Sequence, residues 1–84
     1  MAELVERYEL AVFAWRDMAD ERYRIGRDPD YAPAVRWELH HAAEALRAAG
    51  VSEWELNEIQ SRALVKLGTL RRLMGGGDDC LASA

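Results

Sequence analysis

Two clusters of helix-breaking residues divide this chain into three helical segments. The first cluster runs from Gly26 to Pro29, and the second runs from Gly50 to Ser52. Glycine permits the positive φ that ends a helix, and in the first cluster Pro29 also removes a backbone donor, so each cluster favours a turn. Between the clusters, apolar residues recur at the spacing of three and four that is typical of helices. The sequence therefore predicts helices over residues 2–25, 31–49 and 53–74.

Capping residues support these boundaries. Asp30 is a suitable N-cap for helix 2, and Gly50 is a suitable C-cap. Ser52 and Glu55 have the spacing of a capping box at the start of helix 3. The glycines at 75–77 are expected to end helix 3, which leaves residues 75–84 as a flexible tail.

Each predicted helix carries one apolar stripe. Three helices of similar length with short connections predict an all-α fold, a small antiparallel three-helix bundle with one domain over residues 1–74. The stripes expected to meet in the core are Leu4, Val5, Tyr8, Ala11, Val12, Trp15, Met18, Ala19 and Tyr23 on helix 1, Tyr31, Val35, Leu39, Ala42, Leu46 and Ala49 on helix 2, and Leu56, Ile59, Ala63, Leu67, Leu70 and Met74 on helix 3.

Composition limits the class of protein. With 84 residues, half of them apolar and 31% charged, the chain suits a single globular domain. It has no apolar run of membrane-spanning length, and its first residues carry acids where a signal peptide carries Lys or Arg. A single cysteine, Cys80, rules out an intramolecular disulfide. We therefore expect a cytoplasmic protein without a membrane association.

Leu10 and Phe13 break the pattern of helix 1. Both are predicted to lie opposite its core stripe, among acidic side chains. An apolar centre inside a charged rim is typical of a protein interface, and an acidic rim favours a basic partner. The alternative is that these are isolated exposed apolar residues of no significance. The residues assigned to this candidate surface are Glu6, Glu9, Leu10, Phe13, Asp17 and Asp20, together with Trp37 on helix 2.

Helices 2 and 3 also carry apolar residues away from their main stripes. Trp37 and His41 belong to one such row on helix 2, and Leu64, Val65 and Gly68 belong to another on helix 3. A glycine inside a helix can permit close helix approach. These rows predict either a homodimer or another protein partner, unless the large apolar side chains fill the core instead. The residues for which this alternative stays open are Trp37, Trp54, Leu64 and Val65.

Residues suited to catalysis or metal binding are sparse. Glu38 and His41 form a Glu-x-x-His pair, but helix 1 keeps its carboxylates off the core face that would have to complete a di-metal site. Cys80 follows Asp78 and Asp79, which disfavour its thiolate. No glycine-rich loop precedes a helix to hold a phosphate. We expect no enzyme activity, no metal and no cofactor.

Residues 45–64 resemble the helix-turn-helix of DNA-binding regulators. Gly50 lies in the turn, and the apolar bracing positions are Ala45, Ala49, Val51, Leu56 and Ile59. The resemblance implies a DNA-binding regulator whose second helix enters the major groove. The start of that helix carries Glu53, Glu55 and Glu58, and the chain has a net charge of −4. Because phosphates repel these carboxylates, direct nucleic-acid binding is not the favoured function.

The function favoured by the sequence is a small non-enzymatic protein-binding module or inhibitor that acts through the acidic face of helix 1. Such a surface would also suit a phage or mobile-element inhibitor of the anti-CRISPR type, which blocks a basic nucleic-acid-binding surface on its target. The two alternatives are a helix-turn-helix-like DNA-binding regulator and a homo-oligomeric structural module.

Overall fold

A computed structural model describes the backbone of residues 1–83 and the side chains of residues 1–74. It contains α1 (Ala2–Ile25), α2 (Ala32–Ala48) and α3 (Glu53–Ser83), and no strand within the described backbone. The predicted all-α three-helix bundle is confirmed.

Two glycines make the turns between the helices. Gly26 has a φ of 76° and its N–H donates to the Arg22 carbonyl at 2.9 Å, while Gly50 has a φ of 94° and donates to the Arg47 carbonyl at 3.0 Å. Glycine adopts this left-handed region without the steric cost that a Cβ brings. The turn positions were therefore predictable from the sequence.

Caps at the starts of the helices follow the prediction only in part. At α3 the Glu55 N–H donates to the Ser52 hydroxyl oxygen at 3.2 Å, so the predicted N-cap is confirmed. The predicted N-cap of α2, Asp30, is wrong, because Tyr31 takes that position and makes no side-chain cap bond. A proline in the first turn of α2 has no backbone N–H that would need an acceptor, which lessens the need for a side-chain cap.

The predicted end of helix 3 at Met74 is not observed, because α3 continues to Ser83. Each glycine costs a helix about 1 kcal/mol relative to alanine, but it still allows helical φ and ψ. The tail predicted over residues 75–84, which includes Cys80, lies outside the residues whose side chains the structure describes.

α1 is the central helix of the bundle. It packs along both α2 and α3, whereas α2 and α3 have little contact with each other. The smallest dimension of the molecule is 19 Å, which is about two helix diameters. The main buried cluster contains Tyr8, Ala11, Val12, Ala42, Ala43, Leu46, Leu56 and Ala63.

Several residues predicted to lie in the core are exposed instead. Tyr23 is 92% exposed and Met74 is 81% exposed, and Tyr31, Ala49 and Leu70 are also on the surface. The main buried cluster draws on residues 8–12 of α1, 42–46 of α2 and 56–63 of α3. The five exposed residues lie outside these stretches of the sequence. A periodic stripe does not show where along a helix its neighbours stop.

Candidate protein-binding surface

Leu10 is the centre of the candidate surface. It lies in the N-terminal half of α1 and is 60% exposed, as the sequence predicted. Grooves open on both sides of it, one toward α2 and one toward α3, and Leu10 lines both of them. Leu10 is therefore an exposed apolar side chain that separates two grooves, and not an isolated exposed leucine.

The first groove lies between α1 and α2, and the α2 side contributes Glu38. The full lining is Glu3, Glu6, Arg7, Leu10, Ala11, Ala14 and Glu38. The Arg7 Nε donates to the Glu38 Oε1 at 2.8 Å. This hydrogen bond lowers the pKa of the Glu38 carboxyl below its ordinary value.

The second groove lies between α1 and α3, and the α3 side contributes Lys66 and Leu70. The full lining is Ala2, Val5, Glu6, Glu9, Leu10, Phe13, Lys66 and Leu70. Its volume is about 620 Å³, and it is open to solvent. Apolar side chains from both helices form much of this groove.

Phe13 corrects the prediction for helix 1. The sequence predicts that Phe13 lies opposite the core with Leu10, but its side chain is only partly exposed and packs against the main buried cluster. Because α1 is flanked by two helices, its buried face is wider than one stripe. A helical projection of α1 alone does not show that α3 approaches from the side of Phe13.

The acidic residues assigned to the surface fall into two groups. The Glu9 Oε2 lies 3.4 Å from the Lys66 Nζ. Asp17 and Asp20 both pair with Arg71, and the Asp20 Oδ2 lies 2.8 Å from the Arg71 Nη1. Two cations of α3 therefore already pair with these three carboxylates. The basic end of helix 3 and the acidic face of helix 1, which look like separate charged regions in the sequence, contact each other.

Glu6 alone forms the other group, and Glu3, which was not among the predicted surface residues, lines the first groove with it. Both are exposed, and neither is in an ion pair among the side chains of residues 1–74. Glu6 lines both grooves beside Leu10, and Glu3 lines the first. Two carboxylates without an ion pair among the side chains of residues 1–74 therefore lie beside Leu10, at the N-terminal half of α1.

Trp37 lies outside this surface. It is 59% exposed on α2, its ring centroid lies 3.9 Å from that of His41, and it lines neither of the two grooves. Of the other residues that could fill the core, Trp54 and Val65 are exposed, whereas Leu64 is partly buried and packs against the main buried cluster. Trp37 is therefore not part of the groove lining that surrounds Leu10.

Sequence reasoning did not assign Val5, Lys66 or Leu70 to the surface, and all three line the second groove. A signal was present in the sequence. Glu9 precedes Asp17 on helix 1, as Lys66 precedes Arg71 on helix 3, and this order allows both ion pairs to form if the two helices lie parallel and side by side.

The segment that resembles a helix-turn-helix keeps its acidic start in the structure. Glu53 accepts hydrogen bonds from Arg47 across the turn, and Glu55 is exposed. In the described part of the chain, no three His, Cys, Asp or Glu residues are arranged to hold a metal ion. None of the described helices combines the length and the apolarity that a membrane crossing requires.

Comparison with known proteins gives no match: the chain is similar to no family model, no curated protein and no solved structure. The interpretation of the surface around Leu10 therefore depends on its geometry and charge.

Proposed function

We propose that this protein is a non-enzymatic binding module that recognises another protein through the N-terminal half of α1. The observation that carries the proposal is the exposure of Leu10 between two grooves. Burying an apolar side chain against a partner removes its surface from water, which is the main favourable contribution to most protein association. Glu3 and Glu6 beside it would form the charged rim.

The charges around Leu10 favour a partner with a basic surface. The two grooves together are lined by four carboxylates, on Glu3, Glu6, Glu9 and Glu38, and by two cations, on Arg7 and Lys66. The excess is therefore two negative charges. Exposed rim charges of this kind accelerate the encounter with an oppositely charged partner more than they tighten the complex.

An inhibitory role follows if the basic surface of the partner ordinarily binds nucleic acid. In that case the carboxylates of α1 would occupy sites that phosphates otherwise fill, in the manner of an anti-CRISPR inhibitor from a phage or mobile element. What supports this narrower form is the small size of the chain and the clustering of acids on α1. A nucleic acid should then compete with this protein for the isolated target.

The test places a photo-crosslinking amino acid at Ala14, which lines the first groove, or at Ala48, which is exposed on α2. We expect the first position to capture a partner in cells and the second to capture it far less. Capture should be lost in the Glu6→Lys variant, because reversal of this charge repels a basic partner. The matched control is Asp30→Lys, which reverses an exposed acid in the turn before α2.

Equal capture by Glu6→Lys and Asp30→Lys would show that the surface around Leu10 is not the binding site. Light scattering on the wild type and on Leu10→Gln examines self-association separately. A dimer that becomes a folded monomer on this substitution would assign the surface to a second copy of the chain and would overturn the proposal of a different partner.

A further inference from the structure

The second groove, between α1 and α3, has properties that specify the form of its ligand, and this inference rests on the proposed function. On α1 the lining positions run from Ala2 to Phe13. At a rise of about 1.5 Å per residue, they extend for about 16 Å, which is the length of about three turns of helix. The groove therefore suits an elongated segment of polypeptide.

The walls of this groove favour a helical ligand over an extended one. They come from the side chains of two helices, whose backbone groups are paired within the helices themselves, and the described fold has no open sheet edge. An extended peptide lying here would find no backbone partners on the protein for its own N–H and carbonyl groups, which would depend on water. A helix satisfies those groups internally, as in other complexes in which a helix lies in a groove.

The two edges of the groove differ in charge. Glu6 and Glu9 lie along the α1 edge, while Lys66 lies on the α3 edge and pairs with Glu9 at 3.4 Å. Glu6 has no ion-pair partner among the side chains of residues 1–74. A lysine or arginine on the ligand would therefore be stabilised on the α1 side.

We propose that the groove between α1 and α3 binds an amphipathic helix of the partner protein, with its apolar face on Val5, Leu10, Phe13 and Leu70 and its cationic edge toward Glu6. The proposal names one occupant. A nucleic-acid-like polyanion does not fit it, because the rim is acidic.

The probe for this proposal is a short helical peptide of leucine and lysine, with leucines on one face. A control peptide carries serine in place of each leucine and keeps every lysine. We expect the leucine peptide to shift amide NMR signals of residues 2–13 and 66–70, and the serine peptide to bind at least about tenfold more weakly.

Three variants locate the binding. Leu10→Gln and Leu70→Gln should each weaken the leucine peptide about tenfold, which is the effect of losing about 1.4 kcal/mol. Val65→Gln should leave the affinity unchanged, because Val65 is exposed on α3 but does not line the groove. Amide spectra of the free variants establish that each remains folded.

Equal affinity for the two peptides, or signal shifts around Trp37 instead of the groove, would overturn the proposal. The proposed function fails separately, if crosslinking from Ala14 does not depend on Glu6. If crosslinking depends on Glu6 but the leucine peptide does not bind in the groove, only the proposal of a helical ligand is rejected.

Discussion

At the scale of single residues, Leu10 and Phe13 have opposite roles despite their similar positions in the sequence. Leu10 is exposed, whereas Phe13 packs against the buried cluster. We expect Phe13→Gln to lower the free energy of unfolding by about 1–3 kcal/mol, because it places an amide against apolar side chains. Leu10→Gln should change it by no more than about 0.5 kcal/mol. Urea unfolding followed by circular dichroism measures both, and equal losses would place Leu10 in the core.

The glycines give a second prediction at this scale. Nothing lies within 4 Å of a Cβ built at Gly68, so the idea that this residue permits close helix approach is wrong. Gly68→Ala should raise the free energy of unfolding by about 1 kcal/mol through helix propensity.

Gly50 is the matched comparison for Gly68. It also has no neighbour within 4 Å, but its φ of 94° is strained for any residue with a Cβ. Gly50→Ala should therefore lower the free energy of unfolding by at least about 1 kcal/mol. Thermal unfolding of the Gly68→Ala and Gly50→Ala variants tests the two predictions. A Gly50→Ala variant that is more stable than the wild type would contradict the left-handed conformation of this turn.

At the scale of helices, ion pairs hold the later part of α3 against α1. After Ala63, the described residues of α3 are at most partly buried, and Arg71 bonds Asp17 and Asp20. We expect Arg71→Ala to reduce the hydrogen-exchange protection of amides 66–74, by no more than about 1 kcal/mol because the pair is largely exposed.

Arg72→Ala is the control for that experiment. Arg72 carries the same charge at the next position and is in no ion pair among the side chains of residues 1–74. The hydrogen-exchange protection of amides 66–74 in the Arg72→Ala variant should match that of the wild type. In about 1 M salt, where the screening length is about 3 Å, the two variants should become alike. A similar loss in both variants at low salt would mean that helix propensity, rather than the pairs with α1, controls this part of α3.

The sequence predicts the helices better than it predicts their contacts. Turn glycines and a capping serine have local effects, so Gly26, Gly50 and Ser52 mark boundaries that the structure reproduces. Burial depends on where a second and third helix lie, which no single stripe shows. The exposure of Leu10 is predicted correctly. For lack of this information, Phe13 is predicted to be exposed but packs against the core, and Tyr23 is predicted to be buried but is exposed.

At the scale of the whole molecule, stability should fall in acid. Hydrogen bonds from Arg7 and Arg47 lower the pKa values of Glu38 and Glu53 in the folded state. A lowered pKa means that the folded state favours the carboxylate, so this stabilisation is present at neutral pH. It is lost as the pH falls below the ordinary pKa and through the lowered one.

The measurement is the melting temperature between pH 7 and pH 3. The melting temperature of the wild type should decrease more over this range than that of the double variant Arg7→Gln/Arg47→Gln, which lacks both donors. The difference should appear only below about pH 5, since both glutamates are ionised above it. Parallel profiles for the two proteins would show that these ion pairs do not contribute to the acid dependence.

The central position of α1 also has a consequence for how the chain reaches its fold. The more extensive of its two interfaces is with α2, the helix that follows it directly. Ribosomes synthesise α1 and α2 before α3, and contacts between neighbouring segments form quickly because little chain entropy is lost in closing the loop. A nascent chain can therefore pair its first two helices while α3 is still being translated.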